Sequence, residues 1–290
     1  MLGEDEPVRR ALALAAAALL LAGCSSGESG AGTTPPGPDG GSSATDSPTS
    51  PSSATPATAK AVPRPKDRAC YAYRYDDAVA PVAHGKPVPC DHAHTAITFS
   101  VGELDSVVDG HLLSVDSDHV QAQVADACPK AFAGFVGGTD EARRLTMLRP
   151  VWFTPSLSQS DQGADWYRCD AVAIAADETL APLVGRLQGV LGRPLARERY
   201  AMCGTAEPGT ADFRRVICSG RHSWRALSTV DIAGAAYPGV EQARAAGQQP
   251  CQDAAAGVAD DPLNYRWGYE WPTADQWAKG QHYGICWAPA

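Results

Sequence analysis

The cysteines constrain the fold of this chain more than any other feature, because eight of the nine recur as two sets of four in the same order. Cys70, Cys90, Cys128 and Cys169 are followed by Cys203, Cys218, Cys251 and Cys286. Cys90, His94 and Thr95 form a C-x3-H-[ST] string that returns as Cys218, His222 and Ser223. Trp152, Pro155, Ser156, Gly163, Trp166 and Cys169 keep the mutual spacings of Tyr269, Pro272, Thr273, Gly280, Tyr283 and Cys286. Like residues in register without a gap identify a tandem duplication, with a period of about 120 to 130 residues.

Both repeats have the same outline. Alternating, β-rich runs at 93–101 and 223–232 predict strands. The Ala-rich stretches 118–135 and 240–257, each carrying the third cysteine of its set, predict helices. An aromatic strand follows at 145–153 or 265–271 and breaks at Pro155 or Pro272. Ser156 or Thr273 then caps a short turn of helix, and a last strand carries the fourth cysteine. Between the repeats, 180–195 predicts a helix packed on the first one. The expected fold class is therefore α+β: two tandem disulfide-stapled small domains, 68–198 and 199–290, each a β-sheet with a packed helix.

The N-terminus supplies the compartment. Arg9 and Arg10 precede an unbroken Ala/Leu run at 11–22, shorter than the roughly 20 residues a membrane span needs. Leu21, Ala22, Gly23 and Cys24 have the form of a bacterial lipobox, so 1–23 is expected to be a cleaved leader and Cys24 the lipidated first residue, anchoring the protein on the outer face of the cell membrane. Glu4, Asp5 and Glu6 are out of place in such a leader, and a start at Val8 is expected. From 24 to 67 the chain is almost all Ser, Thr, Gly, Pro and Ala, while every Phe, Trp and Tyr lies beyond Cys70. Such a segment buries too little apolar surface to order itself and is expected to be a disordered tether reaching about 35 to 40 Å.

In an oxidising compartment, eight cysteines without C-x2-C spacing read as disulfides rather than metal ligands. Four cysteines allow three pairings per repeat. Sequential pairing is expected: Cys70 with Cys90, Cys128 with Cys169, Cys203 with Cys218 and Cys251 with Cys286. No metal site and no cofactor is expected.

The net charge of −9 excludes an electrostatic footprint for nucleic acid. No phosphate-cradling Gly-Lys-[Ser/Thr] loop, H-E-x-x-H string or in-register nucleophile elbow occurs, so no catalytic residue is expected. His94 and His222 occupy one slot in both repeats and are expected to be structural imidazoles bridging backbone groups of adjoining strands, with a binding role as the alternative. His282 reads as a surface residue. Trp271 and Trp277 belong to an aromatic cluster expected to be core, the alternative being a binding platform.

The early cysteine, C-x3-H, mid-domain cysteine, aromatic strand leading to Pro-[Ser/Thr], and Gly before a final cysteine resemble the septum formation domain of actinobacterial envelope proteins, over 70–175 and again over 203–290. Repeat two carries Pro272, Trp277, Gly280 and Cys286 in that fashion; repeat one has Ser160 where Trp277 stands, and neither histidine is preceded by the family's proline. The resemblance implies an exported or membrane-tethered module linked to cell division or envelope growth. The function expected is thus a lipid-anchored envelope protein with a non-enzymatic interaction or structural role and with envelope or division proteins as partners. Two alternatives remain: a ligand-binding lipoprotein with an aromatic cleft around Trp271 and Trp277, and a cryptic hydrolase centred on His94 or His222.

Overall fold

The computed structural model describes residues 62–290 apart from His84. The leader, Cys24 and the tether up to residue 61 lie outside the described residues. Repeat one runs β1 (Cys70–Tyr71), α1 (Tyr75–Val79), β2 (Ala96–Glu103), β3 (Val107–Val108), β4 (His111–Leu112), α2 (Asp118–Val136), α3 (Asp140–Arg144), β5 (Leu148–Phe153), α4 (Leu157–Asp161), β6 (Trp166–Ala176) and β7 (Thr179–Ala181). After α5 (Pro194–Arg199), repeat two runs β8 (Met202–Gly204), β9 (Arg215–Ile217), β10 (Trp224–Asp231), α6 (Val240–Ala246), α7 (Gln248–Ala256), β11 (Gly268–Glu270), α8 (Ala274–Ala278) and β12 (Tyr283–Pro289).

The two main sheets are copies. One has the order β1-β2-β6-β5, with β7 added on β6; the other has the order β8-β10-β12-β11, with β9 added beyond β8. All these pairings are antiparallel. The duplication extends to irregularities. The β2–β6 register slips between Thr98 and Ser100, and the β10–β12 register slips between Ala226 and Ser228, each slip immediately before the residue that pairs with the last cysteine, Ser100 with Cys169 and Ser228 with Cys286. Such a bulge re-aims the side chains that follow it. The short helices α4 and α8 open on matching capping boxes, Ser156 with Gln159 and Thr273 with Gln276. Each is followed by a glycine in the left-handed region, Gly163 at φ 86° and Gly280 at φ 90°, a conformation that costs a residue with a Cβ.

Apolar spacing sets the packing in repeat one. Val120, Val124, Cys128 and Phe132 recur every fourth residue of α2 and are buried against Phe99, Leu148 and Ala171 of the sheet. In repeat two the helix is split at Gly247. The Tyr269 ring sits where a Cβ would stand, 2.1 Å away, and its hydroxyl donates to the Ala243 carbonyl. A continuous helix over 240–257 is thereby corrected to two.

The helix expected over 180–195 does not form either. The stretch holds the end of β7, a loop and a single 3-10 turn at Val190–Gly192. Pro182 lacks a backbone donor, and Gly185 and Gly189 adopt positive φ. Leu187, Val190 and Leu191 nonetheless pack beside Phe135 and Val136 at the end of α2.

The repeats share one core. Tyr200, Met202, Ile217, Trp224, Ala226, Ile285 and Trp287 of the second half belong to the same buried cluster as Phe99, Leu148 and Ala171. Backbone bonds cross as well: Met147 N–H donates to Tyr200 O at 2.7 Å and Met202 N–H to Leu145 O at 3.0 Å. The described residues accordingly fall in one compact unit.

Candidate functional site

The cysteines join as Cys70–Cys90, Cys128–Cys169, Cys203–Cys218 and Cys251–Cys286, each bridge lying within one repeat. In both halves the second bridge ties helix to sheet and is wholly buried, whereas the first clips the opening strand to the loop before the histidine. Among the described residues, no group of His, Cys, Asp and Glu is placed to hold a metal ion.

The two histidines make the same bond. His94 Nδ1 lies 2.8 Å from the His92 carbonyl, and His222 Nδ1 lies 2.8 Å from the Gly220 carbonyl. A carbonyl only accepts, so Nδ1 carries the proton in each. The imidazole therefore locks a local turn rather than bridging adjoining strands, and neither ring hydrogen-bonds a Ser or Asp side chain among the described residues.

Trp277 is buried, donates to the Ala235 carbonyl, and stacks on His282 with ring centroids 4.2 Å apart. His282, expected at the surface, is thus a packing residue. Trp271 lies on a groove of about 320 Å³ with Phe213 and Tyr269. Trp277 does not line it; Trp271 instead packs against the small buried cluster of Trp277, Ile232 and Ala243. Burial pushes the Tyr269 hydroxyl up to about 12.

Two charged arrangements lay outside the expected sites. The first is buried behind the sheet of repeat one. Arg168 Nη2 lies 3.1 Å from Asp170 Oδ2, Thr98 Oγ1 donates to Asp170 Oδ1 at 2.7 Å, and Arg168 also donates to the Tyr73 hydroxyl. The guanidinium rests on the rings of Tyr71 and Phe153, 4.2 and 4.8 Å from their centroids. Burial pushes the Asp170 carboxyl up to about 6 against the opposing pull of Arg168 and Thr98. Arg168 Nε and Asp170 Oδ2 hold no well-aligned hydrogen bond, so the network is incompletely satisfied.

The second is a cleft at the junction of the repeats, of about 630 Å³, lined by Arg143, Arg144 and Arg149 from repeat one and by Arg215, Gln281 and Tyr283 from repeat two. Three of these arginines have carboxylates: Arg143 pairs with Asp140, Arg144 with Asp231 at 2.6 Å, and Arg215 with Glu270 at 2.8 Å. Arg149 instead donates to the backbone carbonyls of Thr146 and Leu148, and among the described residues no carboxylate pairs with it. Burial pushes its guanidinium below the ordinary range; Tyr283 opposes that shift and the like charge of Arg215 adds to it. Sequence held a partial signal in the closely spaced Arg143, Arg144 and Arg149, but Arg215 joins them only through the packing of one repeat on the other.

The fold and bridges define a class: a tandem-repeat α+β protein stapled for an oxidising, extracytoplasmic compartment. No helix among the described residues is long and apolar enough to cross a membrane. Residues 42–156 and 150–286 each match the septum formation family, and the chain belongs to that family in two tandem copies. Its family links it to septum formation. The matched stretches overlap over 150–156, from within β5 to just beyond it, whereas the cysteine pattern places the seam near residue 198. No curated protein and no solved structure matches the chain.

Proposed function

We propose that this is a lipid-anchored protein of the outer face of the cell membrane, with a non-enzymatic interaction role in septum formation or wall growth. The observation that carries the reading is a tandem pair of septum formation domains, each closed by its own disulfides, behind a lipobox and a long polar tether. The tether gives the folded part reach into the wall, and the shared core of the two repeats gives it a rigid surface to present to envelope or division proteins. The backbone-bonded histidines support a scaffold rather than a catalyst.

Cys24→Ser tests the anchor: the variant is expected to leave the membrane fraction, and unchanged membrane fractionation overturns lipid anchoring. Proximity labelling in cells tests the role. Division and wall-synthesis proteins are expected among the neighbours, and a list without them overturns the link to the septum.

A further inference from the structure

A chain with net charge −9 gathers four arginines around one cleft, and this is the least expected concentration of charge on the molecule. Packing two guanidiniums near one another, as with Arg149 and Arg215, is unfavourable unless an anion shares them. Asp140, Asp231 and Glu270 neutralise three of the four charges, which leaves Arg149 without a counter-charge. Each paired arginine also keeps spare N–H donors, since a guanidinium has five and a carboxylate engages at most two in a fork. Arg215 commits Nε and Nη2 to Glu270, and among the described residues no hydrogen-bond partner takes its Nη1.

We infer that the inter-repeat cleft binds a phosphate ester, with Arg149 as the anchoring cation and Arg144 and Arg215 as flanking donors. Phosphate fits better than a lone carboxylate because its tetrahedral group points its charged oxygens, three in a monoester and two in a diester, toward several guanidinium forks at once. An ester fits better than bare phosphate because the cleft lies within the range of small-molecule sites and has an apolar wall of Phe132 and Pro150 for an organic group. The ester can be a soluble monoester or the diester headgroup of an anionic lipid, which share a tetrahedral phosphoryl anion. The site uses residues of both repeats, so only the assembled pair can form it.

The test uses the whole exported chain with its disulfides formed. Glycerol 3-phosphate is titrated by calorimetry at low salt, and vesicles of phosphatidylglycerol or of phosphatidylcholine are tested by co-sedimentation. Binding is expected to one or both of the phosphate-bearing anionic probes, to weaken at 0.5 M salt, and to fall about tenfold or more in Arg149→Gln. Arg149→Lys is expected to recover part of it. Binding of glycerol 3-phosphate alone assigns the site to a soluble ester, and binding of phosphatidylglycerol vesicles alone assigns it to a headgroup. Thermal unfolding of each variant reports whether the fold survives; should Arg149→Gln not fold, Arg144→Gln carries the same expectation. Absence of binding to both probes, or binding indifferent to these arginine substitutions in a folded variant, overturns the proposal.

Discussion

The faces of the two sheets that point away from α2 and α7 start from the same backbone and end in opposite chemistry. Strand register makes Thr98 the counterpart of Ala226, Arg168 that of Ile285, and Asp170 that of Trp287. In repeat one the face carries a buried ion pair, covered by Tyr71, Tyr73 and α1 from its own opening segment. In repeat two the position after Cys203 is Gly204, where a Cβ would stand 2.6 Å from the Phe213 ring, and no tyrosine pair covers the sheet. Its Ile285, Trp287 and Ala226 instead enter the core shared with repeat one. One repeat covers its own back and the other uses its back to join its twin. A duplicated fold thus acquires an asymmetric pair by changing a few inward residues while keeping strand order, bulge and bridges.

Trp287→Ala attacks the joining face and should have the largest effect. The side chain is wholly buried, with Phe213 edge-on at 5.2 Å, and removing such a ring costs roughly 3 to 5 kcal/mol. Denaturant unfolding checks this, and a loss below about 1 kcal/mol would show that the shared core is not what holds the repeats together.

Next comes the self-covered face. Arg168→Met leaves Asp170 buried without its cation and should cost about 3 kcal/mol. Making repeat one resemble repeat two, with Arg168→Met and Asp170→Leu together, should recover most of that loss, because apolar substitutes of similar volume end the desolvation cost of both charges. Equal losses in the single and double variants would contradict an incompletely satisfied pair.

The smallest effect is on pH dependence. The folded pKa of Asp170, about 6, lies above its ordinary value of 3.8. The folded state therefore holds this proton more tightly than the unfolded state does. Its contribution is present in full below pH 4 and is lost as pH rises through 6. Stability relative to Asp170→Asn should grow by about 1 kcal/mol between pH 7 and pH 5. A difference that is flat over this window would mean that Arg168 keeps the carboxylate charged.

Much of this architecture was legible in sequence because its markers are local. The Ala-rich α2, the caps at Ser156 and Thr273 and the strands flanking each last cysteine depend on residues close in the chain. The helix expected over 180–195 does not form because Gly185 and Gly189 take positive φ, which the composition of the stretch does not announce. The split at Gly247 was hidden because its cause, Tyr269, lies in a later strand. The buried pair and the arginine cleft were illegible for the same reason. Arg168 and Asp170 read as the polar half of an alternating strand until Tyr71 and Tyr73 fold over them, and Arg149 meets Arg215 only after the repeats dock.

The burial of the bridges carries a consequence for the protein's working life. Cys128–Cys169 and Cys251–Cys286 are sealed from solvent at both ends, while Cys90 is exposed and Cys218 partly so. Thiol exchange requires a nucleophile to reach a sulfur. A reductant met outside the cell would therefore open the two outer clips and leave each helix still bolted to its sheet. Damage would arrive in stages, beginning at the turns held by His94 and His222, and a fresh oxidant could reseal those clips before the core had loosened.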